Sequence, residues 1–114
     1  MYQEISAMQL EQILQKNPNI ELIDVREQNE WDMIRIPQAK LIPISQFPDR
    51  YQEIDFKKEV YILCRTGARS GQACAWLAQN GKQATNVAGS IKSLYETRSK
   101  ILEITQAFQI SYLA

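Results

Sequence analysis

The most informative segment of this chain reads Val60-Tyr61-Ile62-Leu63-Cys64-Arg65-Thr66-Gly67-Ala68-Arg69-Ser70. Its first four residues are apolar or aromatic, which predicts a buried strand. A helix is predicted to follow and to end near Asn80, because Gly81 is typical of the position just after a helix. Residues 64–70, which we call the cysteine loop, therefore connect a strand to a helix. Reactive side chains are often placed on such connections.

Outward from this segment, strands and helices are predicted to alternate. Ser6 caps a first helix, with Gln9 at the capping-box position, and that helix ends near Asn17 because Pro18 follows. Residues 20–25 are mostly apolar and rich in β-branched side chains, which predicts a buried strand. The remaining segments are an extended start at 3–5, a helix at 28–32, a strand at 39–42, a turn or short helix at 43–51, a strand at 83–87 and a helix at 90–96. This alternation indicates a parallel sheet covered on both faces.

The composition excludes several kinds of site. A chain of 114 residues forms one domain, and thirteen Lys and Arg balance thirteen Asp and Glu. No basic field is therefore available to bind nucleic acid or an anionic membrane surface. The absence of histidine excludes Ser-His-Asp triads, Cys-His dyads and His-ligated zinc or haem. We expect neither a metal nor an organic cofactor.

The two cysteines, Cys64 and Cys74, are too few for a disulfide scaffold or a four-thiolate metal site. Cys74 falls within the predicted helix, where a cysteine most often packs as a small apolar side chain; a role as a resolving thiol is the alternative. The N-terminus does not resemble a secretion signal and no long apolar run is present. These features predict a cytoplasmic protein with reduced thiols.

The cysteine loop contains the groups needed to activate a thiol without a histidine. Thiolate is the reactive form of cysteine, and it is favoured by positive charge. Cys64 precedes a helix N-terminus, Gly67 allows several N–H groups to converge, and Arg65 and Arg69 add full charges. The same groups would bind sulfonate, phosphate or arsenate oxygens near the sulfur. The alternative is that Cys64 merely ends a buried strand and the arginines are surface charges.

Taken together, several segments resemble the single-domain rhodanese-like sulfurtransferases, over about Ile5 to Tyr95. The cysteine loop is the most specific of them. The other segments are Ile5-Ser6-Ala7, Leu22-Ile23-Asp24-Val25-Arg26 with Glu30-Trp31 after it, and Ile36-Pro37-Gln38-Ala39. The resemblance implies an α/β rhodanese-like fold with a central, mostly parallel five-stranded sheet and helices on both faces.

Carried over residue by residue, the resemblance implies that Cys64 is the catalytic nucleophile and accepts sulfur as a persulfide. Asp24 and Arg26 would support the loop. The implied activity is that of a thiosulfate sulfurtransferase, with thiosulfate or a persulfide as donor and cyanide, a thiol or a sulfur-relay protein as acceptor. The residues implied to bind the substrate are Arg65, Thr66, Gly67, Ala68, Arg69 and Ser70.

Two segments depart from the family pattern. Where the family often reads Gly-His-Ile-Pro-Gly-Ala, this chain reads Ile34-Arg35-Ile36-Pro37-Gln38-Ala39, so we expect a turn of different shape. Where the family often reads Gly-Gly-Ile followed by a tryptophan, this chain reads Gly89-Ser90-Ile91 followed by Leu94, so we expect that helix to pack differently. Neither change removes a group needed at the sulfur.

Two other functions remain open. The first is a cysteine-dependent phosphatase or arsenate reductase. In the cell-division-cycle phosphatases, whose fold resembles that of rhodaneses, five residues separate the loop Cys from the Arg. Here four residues separate Cys64 from Arg69, which matches the sulfurtransferase length. The second is a non-catalytic rhodanese-like module that binds a protein. An intact cysteine and two loop arginines argue against it.

The last residues, 98–114, extend beyond the resemblance, and we call them the C-terminal tail. Ile101, Ile104, Phe108 and Tyr112 recur at helical spacing, which predicts a helical extension from Arg98 onward. We expect this extension to pack on the domain formed by residues 1–97. A dimer contact, or docking to a sulfur-relay partner, is the alternative.

Overall fold

The computed structural model describes all 114 residues and contains the predicted α/β sheet. Five strands, all parallel, lie in the order β1-β6-β5-β2-β4. Their bounds are β1 Gln3–Ser6, β2 Glu21–Asp24, β4 Lys40–Leu41, β5 Val60–Leu63 and β6 Thr85–Ala88. Two further strands, β3 Ile34–Arg35 and β7 Glu103–Ile104, form a separate antiparallel pair. The prediction of a mostly parallel five-stranded sheet is confirmed.

Five α-helices connect the strands, and short 3-10 turns flank them. The helices are α1 Ala7–Lys16, α2 Gln28–Met33, α3 Phe47–Arg50, α4 Ala68–Gln79 and α5 Ser90–Glu96. The 3-10 turns are Ile44–Gln46, Tyr51–Glu53 and Ile110–Leu113. The predicted capping box is present at the start of α1, where the Ser6 hydroxyl accepts from the Gln9 N–H and the Gln9 side chain accepts from the Ser6 N–H. None of the helices has the length and apolar character to cross a bilayer.

Alternation along the central strands produces two cores, one on each face of the sheet. Leu22 and Tyr61 point to the face covered by α1 and α5, whereas Ile23 and Ile62 point to the face covered by α3 and α4. Each fully buried aliphatic side chain contributes about 2 kcal/mol relative to an exposed one. Both faces of β5 are covered, which is why Val60–Leu63 is a continuous run of apolar and aromatic residues.

The predicted C-terminal helix from Arg98 onward is wrong. The tail instead forms β7, which pairs with β3, and ends in the 3-10 turn at Ile110–Leu113. Short helices are marginal in water without packing, and Ile101, Ile104 and Thr105 are β-branched. Most of the apolar residues that suggested a helix are nevertheless partly buried: Ile101, Phe108 and Tyr112 pack against the core on the α1 side. Ile104, in β7, is half exposed.

Parallel strands place their carboxyl ends at one edge of the sheet, which is where ligands bind in open α/β folds. At this edge β5 leads into the cysteine loop, β2 leads into Val25 and Arg26, and β6 leads into Gly89 and α5. Residues distant in the sequence therefore meet around Cys64.

Candidate active site

The sulfur of Cys64 lies inside a ring of hydrogen-bond donors. It accepts from the Gly67 N–H at 3.1 Å, from the Ser70 N–H at 3.4 Å and from the Ser70 hydroxyl at 3.3 Å. Cys64 and Ser70 are almost completely buried. Because these donors belong to the loop and to the first turn of α4, the helix N-terminus faces the sulfur.

This arrangement favours the thiolate. Burial raises the pKa of the Cys64 thiol, but hydrogen bonds from the Ser70 side chain and from the backbone of Ser70, Gly67 and Thr66 outweigh it. The net result is a pKa below the ordinary value for a cysteine. Donors within hydrogen-bond distance can therefore activate the nucleophile without a general base.

The loop keeps its N–H groups turned toward the sulfur because its carbonyls are bound elsewhere. The carbonyls of Cys64, Arg65 and Thr66 accept from the N–H groups of Ile91, Lys92 and Gly89, respectively. Gly67 adopts a φ of +106°, a left-handed conformation that suits glycine, and it precedes the first residue of α4, Ala68. The predicted tight turn at Gly67 is present.

Two polar side chains that sequence reasoning missed support the loop from β6 and α5. The Ser90 hydroxyl accepts from the Cys64 N–H at 3.1 Å and donates to the Val87 carbonyl at 2.6 Å. Ser90 has a φ of +45°, at a position where the family often has glycine. Asn86 donates to the Gly67 carbonyl at 3.1 Å. The Gly89-Ser90 departure from the family pattern could have drawn attention to Ser90.

Asp24 and Arg26 form a fully buried ion pair beside the loop. The Arg26 Nη2 donates to Asp24 Oδ2 at 2.8 Å, its Nε lies 3.1 Å from both carboxylate oxygens, and its backbone N–H donates to Oδ1. The same Nη2 donates to the Ile34 carbonyl at 2.7 Å. The pair thus ties the end of β2 to the start of β3, within the segment that departs from the family pattern.

Arg69 is held by Glu30, to which the sequence analysis gave no role beyond its place in the resemblance. Its two terminal nitrogens donate to the two Glu30 oxygens at 2.7 and 2.8 Å, a bidentate ion pair. The hydrogen bond to Glu30 raises the pKa of Arg69 above its ordinary value. Arg69 retains three further N–H donors and a side chain that is 30% exposed, so it can still contact a ligand.

The two loop arginines have partners that the sequence analysis did not predict, Tyr112 for Arg65 and Glu30 for Arg69. Arg65 lies at the rim, with its Nη1 3.5 Å from the Tyr112 carbonyl oxygen. The loop arginines therefore meet groups from α2 and from the C-terminal tail. Tyr112 entered the sequence analysis only through its spacing, and Glu30 only as part of the resemblance. Proximity across 39 and 47 positions cannot be read from spacing.

Cys74 lies in the core on the α4 side, with no measurable exposure. Burial raises its pKa to about 12. Both cysteines are free thiols, and no group of three or more Cys, Asp or Glu side chains is placed to hold a metal ion. Of the two thiols, only Cys64 has a pKa below the ordinary value for a cysteine.

A concavity of about 930 Å³ lies at the opposite edge of the sheet. Its lining includes Phe56, Lys57, Val60 and Lys82, which surround the amino ends of β5 and β6. It is remote from Cys64, which follows the carboxyl end of β5.

Comparison with known proteins gives consistent similarities. A family model described as "Rhodanese-like domain" matches residues 6–97. A protein named sulfurtransferase from Allochromatium vinosum is 39% identical over 92 residues, which cover 80% of this chain and 86% of that protein. Among solved structures, a rhodanese-like domain protein from Staphylococcus aureus is 32% identical with a TM-score of 0.77, covering 91% of this chain and 99% of that one. A structure from Staphylococcus saprophyticus is 32% identical with a TM-score of 0.76, covering 89% and 98%.

Proposed function

This chain belongs to the rhodanese-like domain family, as its sequence predicts, and from that premise we propose that it transfers sulfane sulfur through a persulfide on Cys64. The family, together with relatives named sulfurtransferase, supports sulfurtransferase activity. The proposed donor is thiosulfate or a persulfide. The proposed acceptor is cyanide or a thiol, which includes the thiol of a sulfur-relay protein.

The observation that carries the proposal is the ring of three donors around the Cys64 sulfur. These donors stabilise a thiolate before reaction. They can equally stabilise the negative charge of a persulfide after reaction, because that charge is carried by sulfur in the same loop. The chain has no histidine, and the proposed reaction between a thiolate and a sulfane sulfur needs no general base or acid.

In the first half-reaction, the Cys64 thiolate attacks the outer sulfur of thiosulfate. A sulfur–sulfur bond forms, the sulfur–sulfur bond of thiosulfate breaks, and sulfite leaves with the bonding electron pair. The product is a persulfide anion on Cys64, and no proton is transferred. This is covalent catalysis by double displacement, so ping-pong kinetics should result.

In the second half-reaction, cyanide or a thiolate attacks the terminal sulfur of the persulfide. The bond between the two sulfurs of the persulfide breaks, and its electron pair returns to the Cys64 sulfur. The products are thiocyanate or a new persulfide, and the Cys64 thiolate is regenerated. The charge of an anionic donor would be met by Arg65 and Arg69, the two cations of the cysteine loop.

The test is intact mass after treatment with thiosulfate, for the wild-type protein and for the Cys64→Ser and Cys74→Ser variants. We expect a gain of one sulfur atom that is lost in Cys64→Ser and retained in Cys74→Ser. Subsequent cyanide should remove the gain and release thiocyanate.

No gain in a folded protein with free thiols would contradict the proposal. Under that result, a parallel assay with phosphate esters and arsenate would distinguish oxyanion chemistry from a non-catalytic binding module. Kinetics that require donor and acceptor to be bound together would also contradict the mechanism, since a persulfide intermediate separates the two half-reactions.

A further inference from the structure

The C-terminal tail lies beyond residues 6–97, which the family model matches, yet it is anchored to the site. The Thr105 N–H and hydroxyl donate to the carbonyl of Met33, and that hydroxyl also lies 2.7 Å from the Asp32 carbonyl. Glu103 pairs with Arg35 at 2.7 Å, and Leu113 is buried in the core on the α1 side. The tail therefore runs from α2 to the rim of the cysteine loop in a defined conformation.

The Tyr112 side chain connects two of the charged groups next to the cysteine loop. Its hydroxyl donates to Glu30 Oε2 at 2.6 Å and accepts from Arg26 Nη1 at 3.2 Å. Burial and the hydrogen bond to Glu30 raise the pKa of Tyr112 to about 12, although Arg26 opposes this, so the phenol keeps its proton. It is thus a permanent donor to Glu30 at neutral pH.

That donor completes the coordination of Glu30. A carboxylate offers about four acceptor positions, two on each oxygen. Here Oε1 accepts from the Glu27 N–H and from Arg69 Nη1, while Oε2 accepts from Arg69 Nη2 and from Tyr112. With all positions filled, the carboxylate has one orientation, and Arg69 is held in that orientation by two parallel bonds.

The main chain of the same residue faces the other loop arginine. The Tyr112 carbonyl oxygen lies 3.5 Å from Arg65 Nη1. Tyr112 therefore contacts Arg65 directly through its backbone and Arg69 indirectly through Glu30. These are the two cations of the cysteine loop.

We propose that Tyr112 is a positioning residue for sulfur transfer: its hydroxyl, acting through Glu30, holds Arg69 in the orientation that binds an anionic sulfur donor. This inference rests on the proposed function. It extends the site beyond the family segment into the tail.

The test is the rate of sulfur loading on Cys64 against thiosulfate concentration, in single turnovers read by intact mass. Tyr112→Phe removes only the hydroxyl, and we expect about a three- to tenfold rise in the half-saturating thiosulfate concentration, with a smaller change in the maximal rate. Tyr95→Phe is the matched control, because its ring packs on Phe108 of the same tail at 5.2 Å and its hydroxyl lies outside the network. The half-saturating concentration does not depend on the fraction of folded protein.

A second measurement separates donor positioning from damage to the loop. Iodoacetamide is uncharged, and the donors to the Cys64 sulfur belong to Gly67 and Ser70, which Tyr112→Phe leaves unchanged. The rate of Cys64 alkylation should therefore match that of the wild type. The inference is overturned, and the proposed function is not, if Tyr112→Phe and the wild type have the same half-saturating thiosulfate concentration. The same holds if the alkylation rate of Cys64 falls in Tyr112→Phe along with sulfur loading. Failure of the wild type to load sulfur overturns the proposed function and this inference with it.

Discussion

Replacing Glu30 by glutamine tests how much the buried carboxylate stabilises the fold. Burial raises the pKa of the Glu30 carboxyl, but hydrogen bonds from Arg69, Tyr112 and the Glu27 N–H outweigh it and lower the pKa from 4.5 to about 2. At about 1.4 kcal/mol per pH unit, this corresponds to about 3 kcal/mol of stability. The glutamine of Glu30→Gln has the same shape as glutamate, but its NH₂ group would face a hydrogen-bond donor of Arg69 or Tyr112 and could not accept from it.

The pH dependence follows from the direction of the shift. A carboxyl with a lowered pKa in the folded state contributes its full stability above the unfolded value of 4.5. That contribution is lost as the pH falls from about 4.5 to about 2. Glu30→Gln should therefore be less stable than the wild type by about 3 kcal/mol at neutral pH, and the difference should shrink in acid.

The assay is urea unfolding followed by tryptophan fluorescence at constant ionic strength, from neutral pH down to about pH 3. Glu53→Gln is the matched control, because Glu53 also has a pKa lowered to about 2 by a hydrogen bond from Arg50, although its pairs with Arg50 and Lys40 are exposed to solvent. Exposed pairs contribute little, so this variant should unfold much like the wild type. A pH-independent difference for Glu30→Gln, or an equal effect of the two variants, would refute the reasoning.

Three further predictions concern the cysteine loop. Gly67→Ala should lower the free energy of unfolding by about 1–2 kcal/mol and move the pH dependence of Cys64 alkylation to higher pH, because the φ of Gly67 is +106° and its N–H binds the sulfur. Gly81→Ala is the control, since Gly81 has a φ of +74° in open space; it should lower stability by a similar amount and leave alkylation unchanged. A shift of the alkylation profile in both variants would contradict the argument. Ser90→Ala should lower the free energy of unfolding, measured by heat or urea, by about 1–3 kcal/mol, because the buried Cys64 N–H loses its acceptor. Ser90→Gly should lower it less, because glycine adopts a φ of +45° without strain. A larger loss in Ser90→Gly than in Ser90→Ala would be evidence against that strain. Mapping of iodoacetamide adducts at neutral pH should show Cys64 modified and Cys74 protected until unfolding, because burial raises the pKa of Cys74 to about 12, and early modification of Cys74 would disprove this.

Features encoded in consecutive residues could be predicted well. The strand–loop–helix segment around Cys64, the capping box at Ser6 and Gln9, and the parallel sheet all follow from local preferences and hydrophobic periodicity. Such signals act over a few residues, where backbone geometry alone determines which groups are neighbours.

The tail shows where such reasoning fails. Its apolar spacing predicts a helix, but the spacing records only which residues are buried and not the backbone that buries them. Pairing of β7 with β3 and the burial of Leu113 depend on surfaces contributed by residues far away in the sequence. Tertiary packing overrode a weak local preference.

The sequence by itself therefore determined the family, the sheet and the place of Cys64 in a strand–loop–helix segment, because each is carried by a short, ordered run of residues. Only the tertiary structure decided what surrounds Cys64. Glu30 binds Arg69 across 39 positions and Tyr112 binds Glu30 across 82, contacts that exist because separate strands and the tail converge at one edge of the sheet. Hydrogen bonds act over about 3 Å of space whatever their separation along the chain, so the partners of the loop arginines follow from the fold and not from spacing.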